Sequence, residues 1–163
     1  MSEHATFAGG CFWGIEHVFN KEFAKYDIKT KVGYTGGNTE SPDYKLVCTG
    51  TTNHAEALDI AYDPAKISYE TLLEFFYRVH DPTLLNAQGR NTGTQYRSAI
   101  FYHSSEQKET AEKVTQKIQE ERYKDKKIVT EIIPAVQFFD AEEYHQLYIE
   151  KNPEGYVCHY PRW

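Results

Sequence analysis

Hydrophobic residues follow two different periods along the chain, and each period predicts a different secondary structure. Near the N-terminus, apolar residues recur at the spacing of one helix face, at Ile15, Val18, Phe19 and Phe23. This spacing predicts an amphipathic helix, because residues three and four apart lie on one side of it. The short apolar run at residues 5–8 predicts a strand. We therefore expect the chain to open with a strand, a turn and a helix.

Alternating or continuous short apolar runs predict four more strands. They are expected over residues 28–34, 58–62, 96–103 and 128–133, the last ended by Pro134. Residues 83–94 contain two glycines among polar residues and predict a long loop.

Capping residues mark the starts of three further predicted helices. Ser68 can cap a helix that Asp81-Pro82 ends. Ser104 with Gln107 forms a capping box before a long charged helix. A second capping box, Asp140 with Glu143, predicts a last helix that runs to about residue 150.

Strands and helices interleave without a strict βαβ rhythm. This order predicts the α+β class, with a two-layer α/β sandwich built on a mixed β-sheet. The length of 163 residues fits a single catalytic domain over residues 1–163. Residues 152–163, rich in glycine and proline, are expected to form an irregular C-terminal tail.

Composition narrows the class of protein. A net charge of −6 without a Lys/Arg cluster argues against a nucleic-acid partner. No apolar stretch approaches the roughly 20 residues of a membrane span, and residues 1–4 lack the features of a signal peptide. We expect a cytoplasmic monomer. Its three widely spaced cysteines fit catalytic or incidental thiols better than a disulfide framework or a metal site.

One cysteine, Cys11, lies at the predicted strand-to-helix turn, between glycines and a Phe12-Trp13 pair. The N–H groups and the dipole of a helix N-terminus favour a thiolate there. Glycines allow the tight turn, and two aromatic rings offer an apolar surface beside a nucleophile. Cys11 is therefore the candidate nucleophile, although a small buried cysteine beside core aromatics is the alternative.

The segment Gly10-Cys11-Phe12-Trp13-Gly14 resembles the active-site signature of the A-type peptide methionine sulfoxide reductases (MsrA). Further matching segments follow in the order of that family: Val32-Gly33-Tyr34, Ser41-Pro42-Asp43-Tyr44, His54-Ala55-Glu56, His80-Asp81-Pro82, Gly93-Thr94-Gln95-Tyr96-Arg97-Ser98 and Ala141-Glu142-Glu143-Tyr144-His145-Gln146. The resemblance implies reduction of methionine S-sulfoxide, free or in peptides and proteins, in the repair of oxidative damage. It implies thioredoxin as the reductant and no flavin, nicotinamide or metal cofactor.

Reduction of a sulfoxide by a thiol needs an acid for the departing oxygen, and Glu56 is the candidate. It begins an apolar strand, where burial would raise the pKa of its carboxyl. The resemblance assigns it the role of catalytic acid and places oxygen-binding tyrosines at Tyr44 and Tyr96. It also implies that Phe12 and Trp13 enclose the substrate methyl group.

The resemblance also bears on residues near the C-terminus. His145 and Tyr148 correspond to residues at the border of the family's pocket. Family members that end in Gly-Tyr-x-Cys recycle the enzyme with that cysteine, which is Cys158 here. An idle thiol is the alternative for Cys158. Cys48 is better explained as a buried structural thiol.

Two positions depart from the family pattern. Asn91 stands where many members carry an Asp that contributes to the site, so substrate orientation or the pKa of the acid is expected to differ. Asn53 replaces the usual Gly before His54. Two other functions remain as alternatives: a cysteine hydrolase with Cys11 and a histidine base, and a module that binds sulfoxides or senses oxidants without turnover.

Overall fold

The structure is a computed structural model that describes residues 3–10, 12–37, 54–84, 87–88, 91–92, 94–123, 125–142 and 145–146. Its strands are β1 (Glu3–Gly9), β2 (Lys29–Thr35), β3 (Ala55–Tyr62), β4 (Ala87–Gln88), β5 (Asn91–Thr92), β6 (Ser98–Tyr102), β7 (Glu131–Pro134) and β8 (Phe138–Asp140). Its α-helices are α1 (Phe12–Phe23), α2 (Tyr69–Val79) and α3 (Ser105–Arg122). Short 3₁₀ turns follow α1 and precede β6, at Ala24–Tyr26 and Thr94–Tyr96.

Within these residues, six strands form one sheet in the order β7-β6-β1-β3-β2-β8. All neighbouring pairs are antiparallel except β6 and β7, which are parallel. The sheet is therefore mixed, as the sequence predicts. In its centre, Phe7 of β1 lies opposite Leu58 of β3 on one side and Ile100 of β6 on the other. This register aligns apolar side chains on one face.

The three α-helices in the described part of the chain contribute their apolar sides to a core with that face of the sheet. Phe7 is fully buried and stacks on Phe76 of α2, with 4.9 Å between ring centroids, and on Phe19 of α1 at 5.9 Å. Ala111 and Val114 of α3 belong to the same buried cluster. The opposite face carries smaller residues, such as Ala8, Ala57 and Ala99, together with Phe101. The arrangement confirms an α+β fold with helices layered on a mixed sheet.

Two predicted helix caps are present. The Ser68 hydroxyl accepts a hydrogen bond from the amide of Thr71, and the Ser104 hydroxyl accepts one from the amide of Gln107. The carboxamide of Gln107 reaches one residue further than a capping box requires, since it accepts from the amide of His103. The same side chain donates to the carbonyl of His4 and so joins α3 to β1.

The structure corrects three predictions. Asp140 does not open a helix, because it ends β8 and pairs with Gly33 of β2. The predicted loop contains the paired strands β4 and β5. The strand expected from residue 128 begins at Glu131 instead. For Asp140 and Glu131, pairing with a strand distant in the sequence decided the conformation, and such pairing leaves no local period in the sequence. The strands β4 and β5 pair with each other, and two residues are too few to show a period.

Candidate active site

The turn between β1 and α1 has the backbone that its glycines predict. Gly10 has a φ of 99°, a conformation that side chains disfavour. A Cβ on Gly9 would lie 2.9 Å from Cε1 of Phe76, so only glycine fits against α2 there. The helix then begins at Phe12. Cys11 itself lies outside the described residues.

Glu56 lies on the helix-facing side of the sheet at the start of β3, opposite Tyr34 of β2. Its side chain is 1% exposed, and its Oε1 accepts a hydrogen bond from the amide of Phe12 at 3.3 Å. Burial raises the pKa of Glu56 to about 8, while the hydrogen bond from Phe12 lowers it. Among the described residues, Oε2 has no hydrogen-bond partner. A buried, protonated carboxyl next to the helix start can donate a proton at neutral pH.

An aromatic cluster adjoins this carboxyl. The fully buried ring of Phe12 lies 5.7 Å from the ring of Tyr34 and 5.3 Å from that of His145. Trp13 is half-buried, and its indole N–H donates a hydrogen bond to Nδ1 of His145 at 2.9 Å. Glu56, Phe12, Trp13 and His145, all predicted from the sequence, are thus brought together.

Two residues that the sequence analysis gave no role complete this cluster. The hydroxyl of Tyr34 donates a hydrogen bond to Oε1 of Glu142 at 3.0 Å, and Oε2 of Glu142 lies 4.0 Å from Nε2 of His145. Burial lowers the pKa of His145, whereas the charge of the Glu142 carboxylate raises it. Both residues lie in the segments quoted for the family resemblance, which was the available signal for them.

Tyr96 ends the 3₁₀ turn Thr94–Tyr96, which packs against β3. The residues on either side of it are buried. Arg97 forms an ion pair with Glu131 at 3.0 Å and donates to the carbonyl of Gly36 at 3.5 Å. These contacts tie the start of β6 to the turn that follows β2. Tyr96 therefore lies in a turn beside the strand that carries Glu56.

Two other histidines have structural contacts. The ring of His80 is fully buried, with Nδ1 2.6 Å from the carbonyl of Phe76 and Nε2 2.7 Å from the hydroxyl of Ser98. Nδ1 of His54 accepts a hydrogen bond from the amide of Gly37 at 3.0 Å. These contacts give both histidines a role in holding the turns around the site.

For the remaining predicted site residues, the structure describes at most the backbone. Tyr44, Tyr148 and Cys158, like Cys11, lie outside the described residues, and for Asn91 the backbone pairing in β5 alone is described. Within the described ranges, no group of three or more His, Cys, Asp or Glu side chains could hold a metal ion. No helix in the part of the chain that the structure describes is long and apolar enough to cross a membrane.

Comparison with known proteins shows the family to which the chain belongs. A sequence model of the family described as peptide methionine sulfoxide reductase matches residues 3–162. A probable peptide methionine sulfoxide reductase of Schizosaccharomyces pombe is 54% identical over 163 residues, which cover 98% of this chain and 96% of that protein.

Solved structures are similar as well. Mxr1 from Saccharomyces cerevisiae in its reduced form superposes with a TM-score of 0.94 at 44% identity, over 99% of this chain and 93% of that chain. Mxr1 in complex with Trx2 matches with a TM-score of 0.69 at 29% identity, over 99% of this chain and 91% of that chain.

The family match and the similar solved structures show that this protein is an α+β oxidoreductase. The chain belongs to the peptide methionine sulfoxide reductase family. It is an enzyme that reduces methionine sulfoxide to methionine in a thiol-dependent reaction.

Proposed function

We propose that Cys11 is the nucleophile of this reduction and Glu56 its acid. The thiolate of Cys11 attacks the sulfur of methionine sulfoxide and forms a sulfur–sulfur bond. The sulfur–oxygen bond of the substrate breaks as the protonated oxygen passes to the sulfur of Cys11, and the sulfur–sulfur bond breaks as methionine leaves. Methionine leaves with its sulfur reduced by two electrons, and Cys11 is oxidised by two electrons to a sulfenic acid that carries the oxygen. The oxygen must be protonated in this step, since an unprotonated oxide is a poor leaving group.

The observation that carries the proposal is the hydrogen bond from the Phe12 amide to the buried carboxyl of Glu56. That amide nitrogen is bonded to the carbonyl carbon of Cys11. The carboxyl of Glu56 is therefore hydrogen-bonded to the residue that directly follows the proposed nucleophile. The raised pKa of Glu56, about 8, keeps its proton available at neutral pH. The amides of the first turn of α1 favour the thiolate form of Cys11.

The aromatic residues bind the non-reacting part of the substrate. Phe12 and Trp13 enclose the methyl group on the sulfoxide sulfur, because an apolar surface favours a methyl group over water. Tyr44 and Tyr96 donate hydrogen bonds to the sulfoxide oxygen. His145, Tyr148 and Asn91 border the pocket. An asymmetric placement of methyl and oxygen groups selects one epimer, and the family resemblance implies that it is the S form.

The second half of the cycle recycles Cys11. The thiol of Cys158 attacks the sulfenic sulfur, water leaves, and a Cys11–Cys158 disulfide forms. A dithiol protein then opens this disulfide and is itself oxidised. The complex of the related Mxr1 with Trx2 supports thioredoxin as this reductant. Both electrons come from thiols, so the cycle uses no flavin, nicotinamide or metal.

The enzyme acts as a cytoplasmic monomer on oxidised methionine, free or in damaged proteins, and residues 1–163 form its single catalytic domain. The odd number of cysteines supports a reducing compartment. Sedimentation of the reduced protein tests its oligomeric state, and a monomer should give a mass of 18.9 kDa.

Turnover with dithiothreitol tests the proposal. The parent protein should convert the S epimer of methionine sulfoxide to methionine and leave the R epimer unchanged. Cys11→Ser should lose this activity, because a serine hydroxyl is a far weaker nucleophile toward sulfur. Cys48→Ser is the matched control and should remain active. Activity of Cys11→Ser above a tenth of the parent's would contradict the assignment, and ester or amide turnover without a dithiol would favour a hydrolase.

A further inference from the structure

Arg97 is a buried cation that directly follows Tyr96 in the chain. Its side chain is 9% exposed, and its Nε lies 3.0 Å from Oε1 of Glu131 on β7. Burial lowers the pKa of the guanidinium, whereas the charge of Glu131 raises it. A buried charge without a partner is costly, so the carboxylate of Glu131 restricts where the guanidinium can lie.

The same guanidinium contacts the glycine turn that follows β2. Its Nη2 donates to the carbonyl of Gly36 at 3.5 Å, and Gly36 has a φ of 82°. A Cβ on Gly36 would lie 3.0 Å from this Nη2 and 2.9 Å from Cε1 of Phe101. Any other residue at position 36 would therefore be strained in its backbone and would crowd the guanidinium. Arg97 thus has two anchors, one on β7 and one at the end of β2.

The backbone after Tyr96 is held from two directions. Arg97 is anchored beside Phe101, on the face of the sheet that carries the smaller residues. The next residue, Ser98, is buried, and its hydroxyl lies 2.7 Å from Nε2 of His80, which follows helix α2. The 3₁₀ turn that ends at Tyr96 packs against β3. Such fixed neighbours can hold a functional side chain in one place.

We propose that Arg97 is a positioning residue that holds the hydroxyl of Tyr96 where the sulfoxide oxygen becomes more negative in the transition state. The inference rests on the proposed function, in which Tyr96 donates a hydrogen bond to that oxygen. Without its two anchors the guanidinium moves, the backbone after Tyr96 moves with it, and the phenol is displaced. Loss of Arg97 should slow the reaction more than it weakens substrate binding, because a hydrogen bond to this oxygen strengthens as the charge develops.

The rate of methionine release in a single turnover measures this role. In Tyr96→Phe the maximal rate constant should fall by about 10²-fold, the usual cost of one lost donor to a developing charge. In Arg97→Met it should fall by about tenfold, because a displaced hydroxyl still donates part of the time. The substrate concentration that gives half of the maximal rate should change by less than about twofold. Arg97→Lys keeps the charge but lacks the second arm, and its rate should lie between those of the parent and Arg97→Met.

A double-mutant cycle shows whether the effect passes through the phenol. Adding Arg97→Met to Tyr96→Phe should slow the reaction by less than about twofold, because the hydroxyl is already absent. A merely structural role would give the same fall with and without that hydroxyl and would overturn the proposal, as would an Arg97→Met rate equal to the parent's. Lys117→Met removes the cation of another ion pair, between α3 and Glu74 of α2, and is the control that should leave the rate unchanged.

Glu131→Gln decides the case if Arg97→Met does not fold, because the side chain of Glu131 is 48% exposed. Loss of this partner charge should slow the parent reaction by about threefold and leave the rate of Tyr96→Phe unchanged. A parent rate that does not change would overturn the proposal.

Failure of the proposed function gives a different result from failure of this inference. If Tyr96→Phe is as fast as the parent, the proposed role of Tyr96 is wrong and the inference fails with it. If Tyr96→Phe is slow while the substitutions at Arg97 and Glu131 have no effect, the positioning role alone is wrong.

Discussion

At the scale of the residue, the central feature is a carboxyl that burial keeps protonated. Among the described residues, Phe12 alone donates a hydrogen bond to the carboxyl of Glu56, which is 1% exposed. The desolvation of the charged form outweighs that single donor, and the pKa rises to about 8. A group with this pKa can act as an acid near pH 7.

We predict that Glu56→Gln slows methionine release in a single turnover by about 10²–10⁴-fold, because the amide keeps the volume but supplies no proton. In the parent, the rate should also fall as pH rises through about 8, where the carboxyl loses its proton. Rapid-quench measurements of methionine between pH 5 and 9 check both effects. The exposed Glu112→Gln on α3 is the control, and a Glu56→Gln rate equal to the parent's would remove Glu56 from the mechanism.

The same pKa predicts how stability depends on pH. The ordinary pKa of 4.5 applies in the unfolded chain and about 8 in the folded one, so the folded state binds more protons between these values. Stability from Glu56 is complete below pH 4.5 and is lost as pH rises through 8. We predict that the free energy of unfolding of Glu56→Gln, measured with urea, rises relative to that of the parent over this pH range. The expected rise is on the order of a few kcal/mol. A constant difference would contradict the raised pKa.

At the scale of the element, local rules explain the helices well. Ser68 and Ser104 both accept hydrogen bonds from amides of the first helical turn, as the sequence predicts. Strand β8 was missed, because a three-residue strand with partly exposed side chains has no readable period. The predicted helix start at Asp140 was wrong because its pairing with Gly33 of β2 outweighs the local capping motif.

We predict that Ser104→Ala destabilises the protein by about 1 kcal/mol, because the amide of Gln107 loses its side-chain acceptor. Urea denaturation gives the free energy of unfolding. Ser105→Ala makes the same change at the next, exposed position of α3 and should cost less than the cap substitution. Equal losses from the two substitutions would mean that the hydroxyl of Ser104 adds nothing as a cap.

At the scale of the whole molecule, the two cysteines that we propose for the two halves of the cycle lie 147 residues apart in the sequence. We predict that Cys158→Ser still releases about one methionine per enzyme but fails in turnover with thioredoxin. Attack needs only Cys11 and the acid, whereas a protein dithiol needs a disulfide to open.

The measurement combines a one-turnover methionine yield, steady-state thioredoxin assays and thiol counts before and after substrate. The parent should lose two thiols and Cys158→Ser one. Cys48→Ser is the matched control and should behave as the parent does. Turnover of Cys158→Ser at the parent's rate with thioredoxin would show that Cys158 takes no part and would direct attention to Cys48.

The sequence by itself determined the local features of this protein: the helices α1, α2 and α3, the glycine turn before Phe12 and the family. These depend on neighbours within a few residues, where spacing and capping act directly. The resemblance also named Glu56, Trp13 and His145, although it could not say how they touch.

The contacts among these residues were decided by the tertiary structure alone. The Phe12–Glu56 hydrogen bond spans 44 residues and the Trp13–His145 bond spans 132. Strand register puts Glu56 on the buried face beside the helix start, and that burial creates its raised pKa. The pKa of a side chain depends on its surroundings, and those surroundings exist only once distant segments of the chain have packed together.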